Sequence, residues 1–135
     1  MLEKGRVATR LPAQNLQRAR SFYKEKLGLE PSEERPGGLL YRCAAGEFAL
    51  FESSGIPSGS HTQMAWDVDD IDATVAELGM RGVVFEAYDL PGSKTTNGIT
   101  DVLGNYPSKG GRGERAVWFR DSEGNLLGIG QAVGA

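Results

Sequence analysis

One order of elements runs through this chain twice, and the duplication limits the folds open to it. Each pass is a strand, a capped helix and then three strands. In the first half Arg6 to Leu11 alternates, with Val7, Thr9 and Leu11 on one face and Arg6, Ala8 and Arg10 on the other. Pro12 is expected to close that strand. Asn15 caps a helix on which Leu16, Ala19, Phe22, Tyr23 and Leu27 recur at helical spacing, and Gly28 stops it. Short apolar runs follow near Leu29 to Glu34, at Gly38 to Cys43 and at Glu47 to Glu52.

In the second half Gln63 to Val68 alternates. Asp69 or Asp70 caps a helix carrying Ile71, Val75 and Leu78, which Gly79 and Gly82 end. A strand is expected at Val83 to Tyr88. The long polar stretch from Asp89 to Arg112 holds one further strand near Ile99 to Leu103. A hairpin of Glu114 to Arg120 and Leu126 to Gln131 closes the chain around Asp121-Ser122-Glu123-Gly124-Asn125. Asn15 and Asp70 stand 55 residues apart, whereas Gly46 and Gly124 stand 78 apart. The second pass is thus 23 residues longer, an excess the Asp89 to Arg112 segment absorbs. Such a period marks a paired module rather than a solenoid. The expectation is one α+β domain over 1–135, with module one at about 5–53, module two at about 61–132 and a Ser/Gly/Pro loop, Ser53 to Ser60, between them.

Composition narrows the function classes. The net charge is −3, from 15 basic and 18 acidic residues without any basic cluster, so nucleic acid is not an expected partner. Cys43 is the only cysteine, which leaves neither an internal disulfide nor a cysteine-based zinc site. The N-terminus lacks a signal-peptide apolar run, and no stretch approaches the roughly 18 apolar residues of a membrane span. A soluble, cytoplasmic protein is expected, with no membrane partner.

Three motifs carry a family resemblance: Asn15 through Tyr23 with Leu27-Gly28-Leu29, Trp66-Asp67-Val68-Asp69-Asp70-Ile71, and Phe119 through Asn125. With them the chain resembles a single-domain member of the vicinal oxygen chelate superfamily. That superfamily includes glyoxalase I, bleomycin-resistance proteins, fosfomycin-resistance enzymes and extradiol dioxygenases. The resemblance implies two βαβββ modules forming a curved mixed sheet around a crevice, with helices on the convex side. It also implies two metal ligands per module, on the first and last strands. The matching positions hold Ala8, Leu50, Gln63 and Gly128. Three of these offer no side-chain donor and Gln63 offers one neutral oxygen, so no metal or other cofactor is expected.

Under the same resemblance the helix-facing set is Val7, Thr9, Leu11, Ala49, Phe51, Met64, Trp66, Val68, Leu127 and Ile129. The crevice then receives Arg10, Phe48, Leu50, His61, Gln63, Trp118 and Gly128, together with Arg6, Glu52, Ala65 and Asp67. Small residues beside an indole suit a flat or bulky organic ligand. Arg10 offers directed donors to an anionic or carbonyl group. The Asp89 to Arg112 segment, carrying Lys94, Asn97, Tyr106 and Lys109, is expected to be a lid or binding loop. Cys43 is expected to be a buried structural thiol. The candidate ligand-binding residues are Arg10, Phe48, Leu50, His61, Gln63, Tyr106, Trp118 and Gly128, with no catalytic residue assigned. The leading reading is metal-independent binding of a small hydrophobic or aromatic molecule, as in resistance by sequestration, by a homodimer of the kind the bleomycin-resistance likeness implies. A glyoxalase- or dioxygenase-like metalloenzyme, and a metal-free lyase or isomerase using His61, are the alternatives.

Overall fold

The computed structural model describes residues 1–88 and 94–134. They divide into two compact units, Met1–Gly59 with Asp121–Asn125, and Ser60–Arg120 with the chain from Leu126 onward.

The first unit holds strand β1 (Thr9–Ala13), helix α1 (Leu16–Leu27) and strands β2 (Glu33–Arg35), β3 (Gly38–Arg42) and β4 (Glu47–Glu52). Its sheet runs β1-β4-β3-β2, with β1 parallel to β4 and the other pairs antiparallel. The first strand starts three residues later than its alternation suggests, leaving Arg6, Val7 and Ala8 exposed outside it. It also runs through Pro12. A proline that cannot donate to a ladder is tolerated there because β1 is an edge strand.

Helix α1 follows the sequence closely. The Asn15 side chain accepts the Arg18 amide at 2.9 Å. Gly28, at φ +69°, lets its own amide reach the Lys24 carbonyl while the Leu29 amide reaches that of Tyr23, which closes the helix end. The helix covers one face of the sheet. Tyr23 is fully buried, with its ring 5.5 Å from Tyr41 and 5.8 Å from Phe48.

That packing corrects the expected faces of β4. Leu11 pairs with Leu50 and Thr9 with Phe48, and side chains of directly paired residues share a face. Phe48 and Leu50 are therefore core residues under α1, at 3% and 0% exposure, and not part of a ligand face. Ala49 and Phe51 take the open side instead. The run Phe48-Ala49-Leu50-Phe51 is apolar on both faces, so its alternation has no phase until a partner strand sets one.

The second unit holds β5 (Met64–Asp67), helix α2 (Ile71–Met80), β6 (Phe85–Glu86), β7 (Lys94–Thr96), β8 (Ile99–Leu103), β9 (Gly113–Arg120) and β10 (Leu126–Val133). The sheet runs β5-β10-β9-β8-β7, with β5 parallel to β10, and β6 also pairs with β9. Asp70 caps α2 by accepting the Ala73 amide at 3.0 Å. Gly79 lies inside the helix, which ends beyond it at Met80. Here the expected phase holds: Trp66 stacks on Phe119 at 6.2 Å, and Leu127 and Ile129 are buried beside them.

The extra residues of the second pass are used in building sheet. The outer edge of β9 is shared, with β8 on Gly113–Ala116 and β6 on Trp118–Phe119. Strands β7 and β8 join through Asn97-Gly98, both at positive φ (53° and 80°), a two-residue hairpin turn that asparagine and glycine favour. The segment expected as a lid is thus in good part a hairpin that extends the sheet, although residues 89–93 lie outside the described residues. Among the described residues no helix is long and apolar enough to cross a membrane.

Candidate ligand-binding face of the second sheet

Pairing places the open-face residues of the second unit in rows. One row is Asp67, Gly130, Ala116 and Thr100; the next is Ala65, Gly128, Trp118 and Glu86. The Gln63 amide bonds to the Leu126 carbonyl at 2.9 Å, which continues β5 beside β10.

The two rows differ in what covers them. Lys109, from a 3-10 turn at Pro107–Lys109, reaches the Asp67 carboxylate at 2.6 Å, although β9 and β10 separate β8 from β5. That bond holds the Lys109 ammonium above its usual range, with the Asp67 charge adding to it. The Glu114 carboxylate occupies the space over Gly130: a β-carbon there would stand 1.7 Å from its Oε1. Ala116 and Thr100 are buried. Charged side chains therefore close off this end of the face.

The neighbouring row is more open. Ala65 is exposed and Trp118 is half-buried. Gly128 lies between them, and a β-carbon there would meet Ala65 Cβ, Thr62 Cγ2 and Trp118 Cδ1 at 3.5 Å each. The missing side chain leaves a gap of about methyl size at the edge of the indole, with Gly128 itself buried. Tyr88 stands edge-on to Trp118, centroids 5.3 Å apart at 89°. Its hydroxyl donates to Glu86 Oε1 at 2.7 Å, and Arg120 donates to Glu86 Oε2 at 2.7 Å. The Tyr88 bond, with Arg120 behind it, holds the Glu86 carboxyl below its ordinary range, and the same bond raises the Tyr88 hydroxyl. The Glu86 carboxylate, itself held by Arg120, thus pins the Tyr88 ring that stands against the indole.

Of the expected site residues, Trp118, Gly128 and Gln63 belong to this one sheet, and Gln63 Oε1 is buried without a hydrogen-bond partner. His61 is exposed ahead of β5, and Tyr106 is 72% exposed in the chain between β8 and β9. Arg10 is exposed on β1 in the first unit. Cys43 is half-buried at the end of β3, not fully enclosed. Tyr88, Glu86 and Glu114 escaped sequence reasoning, because they join the site only through the registers of β6 and β9.

The donor set does not fit the metal centre that the resemblance implies. Leu50 points under α1, Ala8 precedes β1 and Gly128 has no side chain, which leaves the amide oxygen of Gln63. Among the described residues no three His, Cys, Asp or Glu side chains converge as a metal site. A single neutral oxygen does not make a divalent-cation centre.

The family model described as the Glyoxalase/Bleomycin resistance protein/Dioxygenase superfamily matches residues 5–129. The chain belongs to that superfamily. Solved structures agree on the fold. TnmS3, an antibiotic binding protein from Streptomyces sp. CB03234, is 25% identical with a TM-score of 0.61, over 93% of each chain. Lactoylglutathione lyase from Agrobacterium tumefaciens is 21% identical with a TM-score of 0.59, over 95% of this chain and 93% of that one. A glyoxalase/bleomycin resistance protein/dioxygenase from Nocardioides is 19% identical with a TM-score of 0.64, over 96% of this chain and 83% of that one. A comparison with curated protein sequences finds no match. Superfamily membership spans both binders and enzymes, so function has to be argued from the site.

Proposed function

We propose that this superfamily member binds a flat, largely apolar organic molecule on the open face of its second sheet, without a metal ion, and acts by capture and not by chemistry. The observation that carries the reading is the half-buried Trp118 beside side-chain-free Gly128, with exposed Ala65 in the same row. An indole beside a glycine and an exposed alanine, with no large side chain on that side of it in the row, gives a planar ligand area to stack on. In this reading Gln63 supplies its unpartnered oxygen to a donor on the ligand, and Tyr106 and His61 are contacts from exposed positions. The antibiotic-binding function of TnmS3 supports a binding role for this fold. The working unit is a homodimer, which sedimentation tests directly.

The test uses the two tryptophans separately. Flat aromatic compounds are titrated against the protein and against Trp118→Phe, with Trp66, stacked on Phe119, as the remaining reporter. Saturable quenching that is lost or at least about tenfold weaker in Trp118→Phe is expected. Equal affinity in the variant removes Trp118 from the site. Stoichiometric metal retained after loading with Zn²⁺, Ni²⁺, Mn²⁺ or Fe²⁺ and desalting would overturn the metal-free reading and direct work to glyoxalase and dioxygenase assays.

A further inference from the structure

The open face of the first sheet carries its own cavity, about 220 Å³, and its chemistry differs from that of the second sheet. Pairing again sets rows: Arg10, Ala49, Leu40 and Glu33 in one, and Pro12, Phe51, Gly38 and Arg35 in the next. Leu40, Ala49 and Phe51 make a half-buried apolar floor. Arg10 stands on one edge strand and Arg35 on the other, and both line the cavity.

Two features make this more than a solvated surface. First, Arg35 lies inward across β3. Its Nε and Cγ are 2.9 and 3.1 Å from where a β-carbon on Gly38 would stand, so the glycine leaves the space the guanidinium stem occupies. Second, the two acids that also line the cavity, Glu33 and Glu34, are each neutralised by an arginine other than Arg10 or Arg35. Glu33 is bound by Arg42 Nη2 at 2.5 Å, and Glu34 pairs with Arg20 of α1. Among the described residues neither Arg10 nor Arg35 forms a salt bridge. Two guanidinium groups with uncommitted donors, over an apolar floor, match a ligand with an anionic head and an apolar body. The volume suits a compact metabolite, below the roughly 300–1,000 Å³ of drug-sized sites.

We propose that the open face of the first sheet is a binding site for a small organic carboxylate, held between Arg10 and Arg35 on the Leu40–Ala49–Phe51 floor. This site does not depend on the proposal for Trp118, because its residues all belong to the first unit.

Benzoate is the probe and benzamide its uncharged counterpart, titrated into ¹⁵N-labelled protein. The expected result is saturable amide shifts centred on Leu40, Ala49 and Phe51 with benzoate, and binding of benzamide at least about tenfold weaker. Arg10→Gln and Arg35→Gln each weaken benzoate about tenfold; both positions are exposed, so the fold is expected to survive. Gly38→Ala keeps every charge but displaces the Arg35 stem, and it is expected to weaken benzoate as well. The proposal is overturned if benzoate fails to saturate, if benzamide binds equally well, if either arginine variant keeps full affinity, or if the shifts centre on Trp118. Unchanged quenching of Trp118 by neutral aromatics in Arg35→Gln would separate the two sites, since failure of one leaves the other measurable.

Discussion

Glu123→Gln tests the account of the first unit most sharply. The Glu123 carboxylate accepts from the Asn15 amide (3.0 Å), Arg18 Nε (2.9 Å), Arg18 Nη2 (3.0 Å) and the Ser122 hydroxyl (2.8 Å). Its side chain is 1% exposed. Burial alone pushes a carboxyl up, but the Arg18, Asn15 and Ser122 bonds outweigh it and bring the group down to about 2 from an ordinary 4.5. By proton linkage such a group contributes about 3 kcal/mol at neutral pH. The Arg18 side chain is 53% exposed, and solvent screening of its part brings the expectation to roughly 2 kcal/mol. The folded value lies below the unfolded one. The unfolded chain therefore holds more protons between about pH 2 and 4.5, and the contribution is full above that window and lost as the pH falls through it. Urea unfolding of both proteins from pH 7 to pH 3 is the assay. The gap between them should be roughly 2 kcal/mol at pH 7 and shrink to about two-fifths of that at pH 3. A gap that stays constant with pH, or no gap at pH 7, would refute the reasoning.

Two buried tyrosine hydroxyls make a contrasting pair. Tyr23 donates to Asp121 Oδ2 at 2.7 Å, so Tyr23→Phe leaves a buried carboxylate short of a partner and should cost about 1–3 kcal/mol by urea unfolding. The Tyr41 hydroxyl has no partner, so Tyr41→Phe should be neutral or stabilise by up to about 1 kcal/mol. Gly28→Ala places a side chain at φ +69° and should lower stability by about 1 kcal/mol, measured the same way.

Where the chain carried strong local signals, sequence and structure agree. Asn15, Asp70 and Gly28 act at the helix ends as their chemistry demands, and Ile99 to Leu103 is the expected strand. The second-module faces could be assigned because Met64, Trp66 and Val68 alternate with polar or small neighbours. The β4 faces could not, because both are apolar and only pairing with β1 chooses between them. Asn97-Gly98 was a hairpin signal in plain view, hidden by the glycine content around it. Within the site, Trp118 and Gly128 follow from the hairpin register, whereas Tyr88 and Glu86 depend on β6 pairing with β9, and Arg35 on its reach over Gly38. Those are tertiary facts with no local imprint.

The segment Asp121–Asn125 carries a consequence for how the molecule comes into being. It belongs to the first unit, where Asp121 receives Tyr23, Glu123 receives Arg18 and the Asn15 amide, and Asn125 donates to the Pro12 carbonyl at 3.0 Å. On a ribosome those five residues are made only after all of residues 1–120. Until they do, the first repeat holds a tyrosine hydroxyl, a guanidinium and a helix-entry amide without their acceptors. A gene cut at the loop between the repeats would yield an N-terminal piece that stays loose however long it waits. The duplication is visible in the sequence, but the first unit draws part of its bonding from a turn carried by the second repeat, and a split version of this protein should assemble only when the second piece brings the Asp121–Asn125 turn with it.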